Sequence, residues 1–310
     1  MSIKDIGPLL GADEGLHHQI VDTFAVLSQS DFTWTEKIWG SFGRVDGSLH
    51  VSFGLGKYAN RGIIDAFGGV SRGREQWTVR GSRELRSAPE DTGVGPVRYE
   101  VIEPLKQVRF ILEPNDIQPI AFDIVLTGVT PPFFEDRNLN RSLVSQRVDM
   151  NVIRYHQGGW ASGTVAVDGH TEEIEDEQWF GFRDHSWGVR QGIGDQPRDL
   201  IPNPMAGVMS QSRLNWMPAF FRRPDGSYYE TAVFLLQLHG WTMHGAYIND
   251  ADGQQHPVQS IERECSYDPF TRFVTGGRFT RWARPSVAPI RAVRSIRSRI
   301  MIVATGWVPR

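Results

Sequence analysis

A chain of 310 residues is long for a single core and suits two domains of about 150 residues each. With 40% hydrophobic and 22% charged residues and a net charge of -3, disordered, collagen-like and membrane-spanning classes are excluded, and no strongly charged partner is implied. Ten Trp and 17 Phe beside 32 Gly favour short strands with aromatic inner faces and tight turns.

The first 30 residues contain Asp, Glu and the pair His17-His18, so they do not read as a secretion signal. Leu16, Ile20, Phe24 and Leu27 recur at helical spacing, and a short helix is expected from Glu14 to Leu27, outside any barrel. No run reaches 18 apolar residues, and Cys265 stands alone, which fits a reducing cytoplasm and excludes a disulfide within the chain.

From Thr33 the period changes to two. Residues 44–53 read as strand, Asp-Gly turn and strand, and further short strands are expected over 76–85, 97–103, 107–112, 120–126 and 143–155. Trp34, Glu36 and Trp39 form an aromatic-carboxylate cluster in the first strand. A carboxyl held against indoles tends to keep its proton and can donate it, whereas an exposed Glu carries no such role.

A segment at 163–170 with a small residue, a strand and the Asp168-Gly169 turn is echoed at 245–253, which ends in Asp252-Gly253. The echo suits a duplicated barrel, or merely two hairpins of a common kind. The acidic stretch at 172–177 then reads as a solvated connector, with residues 1–30 as a helical segment, 31–178 as a first barrel and 179–310 as a second.

The densest site candidate follows at Phe182-Arg183-Asp184-His185-Ser186-Trp187-Gly188. In an extended strand Arg183, His185 and Trp187 share one face while Asp184 and Ser186 share the other, so Asp184 and His185 cannot pair across a flat strand. A bulge or turn would let Asp184 orient His185 as a general acid or base. Alternatively, the Asp ties loop amides and the aromatics seal a barrel end.

Further on, 214–221 should pair with the strand 231–241, in which Phe234, Leu236 and Leu238 alternate with Gln237, His239 and Trp241. One face suits packing; the other suits either a lined cavity or water. Trp216 and Tyr228 add large apolar bodies with one polar handle each. From Arg278 onward the chain is basic, which suits an anionic partner or an outward-facing barrel edge. Gly54-Leu55-Gly56 lacks the third glycine of a dinucleotide site, no zinc-ligand spacing is present, no Gly-x-Ser-x-Gly elbow occurs, and the basic residues lack the aromatic interleaving of a nucleic-acid binder.

The stretch 181–188, Asn215-Trp216 with its following strand, and His244 through Val258 together resemble the carotenoid 1,2-hydratase and AttH-like family, over roughly residues 30 to 270. The resemblance implies two tandem lipocalin-like antiparallel β-barrels, no metal and no redox cofactor, with Asp184, His185, Trp187 and Trp216 at motif positions. This chain ends sooner than the family's second barrel usually does, so that barrel is expected to be short or open, and homodimerisation would cover its edge.

The expectation is a cofactor-independent, cytoplasmic hydratase, cyclase or isomerase of a hydrophobic terpenoid, polyketide or aromatic molecule. Asp184 or His185 would donate the proton, Trp187 and Trp216 would wall the cavity, and Tyr228, Gln237, His239, Trp241, Trp39 and Glu36 would contact substrate. The alternative is a carrier that holds an apolar ligand unaltered.

Overall fold

The computed structural model describes residues 9, 11–16, 29–86, 91–142, 144–194, 201, 213–238, 241–258, 260–267 and 274–282. The chain forms two compact units, Met1–Asn203 and Pro204–Arg310. Strands dominate the described residues, and among these no helix is long and apolar enough to cross a membrane. Gly11–Glu14 form one 3-10 turn; the expected helix lies, from residue 17 on, outside the described residues.

The first unit is a single twelve-stranded sheet. Its strands are β1 (Trp34–Arg44), β2 (His50–Tyr58), β3 (Ile63–Arg72), β4 (Glu75–Glu84), β5 (Val97–Glu103), β6 (Gln107–Leu112), β7 (Ile120–Gly128), β8 (Phe133–Phe134), β9 (Asn138–Arg141), β10 (Val148–Val167), β11 (His170–Ile174) and β12 (Trp179–Val189). The order runs β4-β3-β2-β1-β12-β10-β7-β6-β5, with β8, β9 and β11 also pairing β10. The sheet curls rather than closing through a ladder. Arg83 of β4 holds the segment that leads to β5, donating from Nε to the Gly93 carbonyl at 2.6 Å and pairing with Asp91 at 3.0 Å.

Alternation explains which strands face water. β6 and β7 bury every second residue, so one face is wet. β1 and β12 are buried almost throughout, and both of their faces are covered. The inner face packs around Phe110, which meets Phe42, Phe53 and Tyr99 edge-on at centroid distances of 5.0, 5.0 and 5.4 Å.

The Asp168-Gly169 hairpin forms as the sequence requires: Val167 pairs His170, and both turn residues have positive φ, the geometry that Asp-Gly favours. The expected boundary at 178/179 falls inside this unit, between β11 and β12. β12 is a central strand, bonded to β1 on one side and β10 on the other.

The second unit contains β13 (Arg213–Trp216), β14 (Ala219–Arg222), β15 (Tyr228–Leu238), β16 (Trp241–Asp250) and β17 (Gln255–Pro257) in one sheet, and β18 (Ser260–Tyr267) with β19 (Val274–Trp282) in another. β13 and β14 both pair β15, matching the expected partnership of 214–221 with that strand.

Candidate functional site

Three central strands place a buried chain of ionisable groups on the inner face of the first sheet. The register sets Ile38 opposite His185 and Tyr155 opposite His185 on its other side, so Glu36 of β1, Arg183 and His185 of β12, and Tyr155 and Gln157 of β10 all project inward. Glu14, at the end of the 3-10 turn, enters from outside the sheet; it is 2% exposed, and Glu36, Tyr155, Arg183 and His185 are 1% exposed or less.

Their contacts are continuous. His185 Nε2 lies 2.8 Å from Glu36 Oε1, and its Nδ1 lies 3.0 Å from the Tyr155 hydroxyl. Tyr155 donates to Glu14 Oε1 at 2.5 Å, and Arg183 Nη1 donates to the same oxygen at 2.7 Å. Arg183 Nη1 also lies 3.4 Å from the Tyr99 hydroxyl, and Arg183 Nε donates to Gln157 Oε1 at 3.0 Å. Gln157 is fixed in turn by donating to the carbonyls of Leu105 and Thr130.

Each of the contacts Glu36–His185, His185–Tyr155 and Tyr155–Glu14 needs one hydrogen between its two heavy atoms. Phenol and neutral imidazole supply two of these hydrogens, and two buried cations face the two carboxylates: Arg183, bonded to Glu14, and Lys57, opposite Glu36 in register. The contacts thus form one unbroken relay of hydrogen bonds from Glu36 to Glu14.

Burial raises Tyr155 well above the usual phenol value, so it stays protonated and acts through its hydrogen. Burial works against the Arg183 charge, yet the Tyr155, Tyr99 and Glu14 oxygens hold its pKa above the ordinary guanidinium range. Trp187 stands edge-on to His185 at 5.5 Å and to Tyr155 at 6.3 Å, walling the relay on one side.

Asp184 is on the other face, as strand parity requires. Its Oδ2 lies 3.3 Å from Arg154 Nε, and Arg154 Nη1 donates to Glu135 at 3.3 Å. Burial lifts the Asp184 carboxyl above the usual carboxylate range against the pull of Arg154. Trp39 lies opposite Asp184 in register and therefore faces away from Glu36. The strand is regular through 184 and 185, so no bulge brings Asp184 to His185; at Gly188 φ is +129° and a Cβ would stand 2.0 Å from the Asn151 carbonyl oxygen, a position only glycine suits.

The second-unit candidates are described by themselves. Trp216 pairs Phe234 and is half-buried, as is Gln237. Tyr228 meets Phe220 edge-on at 6.1 Å. Trp241 opens β16 opposite Leu238, with its side chain outside the described ones, and His239 lies outside the described residues. An open groove of about 320 Å³ beside Arg109, Asp123 and Thr164 lies on the wet face of β6 and β7, opposite the relay.

Of the residues named from sequence, the structure brings Glu36, His185 and Trp187 together, with Arg183 on the face of His185 and Trp187 as strand parity requires; Tyr155, Glu14, Tyr99 and Gln157 beside them were not named. Strand period alone carries no signal for them: Tyr155 is 30 residues from His185 and 141 from Glu14, and only the pairing register unites them.

A profile described as a family of unknown function, DUF8625, matches residues 11–287. No curated protein matches. Among solved structures, kievitone hydratase from Nectria haematococca is similar at 12% identity, covering 79% of this chain and 72% of that one with a TM-score of 0.46. CghA is similar at 12% identity, with 76% and 67% covered and a TM-score of 0.42.

Proposed function

Because the chain belongs to DUF8625, a family of unknown function, we propose its activity from the site itself: cofactor-independent acid-base catalysis on a hydrophobic small molecule, of the hydratase, cyclase or isomerase type. The observation that carries this reading is the unbroken path Glu36–His185–Tyr155–Glu14, closed by Arg183 and buried throughout. In this reading a proton moves along the network, which a purely structural set of buried contacts does not require. Such a path can deliver a proton and take it back within one turnover.

In this reading Tyr155 gives its hydrogen to the substrate, His185 replaces it through Nδ1, and Glu36 holds the imidazole through Nε2. Trp187 supplies an aromatic face. Asp184 acts on the far side of β12 as a partner of Arg154, and the proton-donor role moves from it to the relay. The tandem two-barrel organisation and the kinship with carotenoid 1,2-hydratase and AttH-like proteins belong to this proposal, with Trp216, Tyr228, Gln237, His239 and Trp241 as lining of the second unit.

The test is turnover of a panel of terpenoid and polyketide alkenes and enones in D2O, followed by mass spectrometry. The intact protein should introduce deuterium at carbon. His185→Gln and Tyr155→Phe should each lose about 10²- to 10⁴-fold in rate, while Asp184→Asn stays within about tenfold. Equal loss in all three variants, or none in any, overturns the assignment. A ligand co-purified from the host and unaltered after long incubation would favour the carrier reading instead.

A further inference from the structure

Glu14 is the one member of the relay that the sheet does not supply. It comes from the turn at Gly11–Glu14, which inserts into the inner face: Leu16 packs in the core at 2% exposure, its carbonyl accepts from Lys57 Nζ, and the Asp13 carbonyl lies 3.3 Å from the Tyr155 hydroxyl. One oxygen of this inserted carboxylate, Oε1, sits at the focus of two sheet-borne donors, Tyr155 at 2.5 Å and Arg183 at 2.7 Å.

Two donors converging on one oxygen are the arrangement that stabilises an oxyanion. The carboxylate also uses the donor set incompletely. Its Oε2 and Arg183 Nη2 are both buried without hydrogen-bond partners, so the pair is end-on and lacks the two parallel bonds a guanidinium makes with a carboxylate that fits it. One sheet-borne donor and one oxygen of the inserted residue are therefore both left unused, the mark of an imperfect fit between them.

We infer that Glu14 occupies the position of a substrate oxygen: the Tyr155–Arg183 pair is a binding site for an oxygen that carries or develops negative charge on an apolar molecule, and such a ligand displaces residues 11–16 to reach it. The inference deepens the acid-base reading of the same site by naming the substrate class. The proton from Tyr155 goes to that oxygen as water or another nucleophile adds to the conjugated double bond; the enol so formed returns to the ketone by giving up its O–H proton and taking a solvent-derived proton at carbon, and the substrate is a conjugated ketone rather than a plain hydrocarbon. A carbonyl oxygen held by Arg183 withdraws electrons from the conjugated double bond and so activates it. A hydrocarbon has nothing for these donors to hold.

The experiment measures binding, so its outcome is separate from turnover. 2-Naphthoate is the anionic probe and 2-vinylnaphthalene its oxygen-free counterpart. Glu14→Gln, which empties the focus of negative charge, should bind 2-naphthoate at least tenfold more tightly than the unaltered chain, with no comparable gain for 2-vinylnaphthalene. Adding Arg183→Met to Glu14→Gln should abolish the gain. In the unaltered chain, saturating 2-naphthoate should speed amide hydrogen exchange in residues 11–16, a readout that needs no variant to fold. Unchanged exchange there, equal affinity with and without Glu14, or a gain that survives Arg183→Met would each overturn the site. Loss of turnover in His185→Gln with failure of these binding results would leave the relay standing and remove only the oxygen site.

Discussion

Arg183 and Glu14 are a buried ion pair, and the two halves of such a pair depend on each other far more than the core depends on the pair. Arg183→Met alone strands a carboxylate among Tyr155, Tyr99 and Trp187 and is expected to cost about 3–5 kcal/mol of unfolding free energy. Combined with Glu14→Gln it should cost clearly less than the two single changes together, a coupling that urea unfolding of the four proteins would measure.

A second residue-scale prediction concerns His50, which burial pushes down to about 4 and whose Nε2 lies 2.7 Å from Ser41 Oγ. The folded pKa is below the unfolded value near 6.5, so between these values the unfolded chain takes up a proton that the folded one refuses. Stability is then lost as pH falls from about 6.5 to about 4. His50→Gln should lose less between pH 7.5 and pH 4.5 in the same denaturation measurement.

At the scale of elements, the long strand β10 and the central strand β12 hold most of the site, and at Gly188 their backbones come too close for a side chain. Gly188→Ala puts a side chain 2.0 Å from the Asn151 carbonyl oxygen at a φ that such residues rarely adopt. It should destabilise by more than about 1 kcal/mol, read as a lower Tm. Phe110→Ala, at the centre of the aromatic contacts, should cost about 3–5 kcal/mol.

Much at this scale was legible. Strand period placed β4 to β7 and β15 within a few residues, Asp168-Gly169 marked its hairpin, and parity separated His185 from Asp184. The partners across strands were not legible. Nothing local says that β12 lies between β1 and β10, and the acidic run at 172–177 read as a connector although Ile174 is a buried core residue of β11. Likewise Glu14 looks like the start of an exposed helix until the sheet around it is known.

For the first unit as a whole, the notable property is where its edges meet. Hydrogen-bonded ladders run without a break from β4 to β5 the long way round, whereas the short way has no ladder, and Arg83 of β4 holds Asp91 and Gly93 of the connecting segment. Arg83→Gln should speed amide exchange in β4 and around Val97 while β1, β10 and β12 stay protected, because local opening there breaks few interactions.

A closed β-barrel has a circumference fixed by strand count and stagger, and widening it means tearing a ladder. Here β4 and β5 share no ladder: Arg83 is bonded to two carbonyls and a carboxylate of the segment that joins them, and Val94 of that segment is buried in the core. The outer edge of β4 therefore lacks the backbone bonds that β1, β12 and β10 make on both sides, and the residues of the buried hydrogen-bond chain stand on the strands held most firmly.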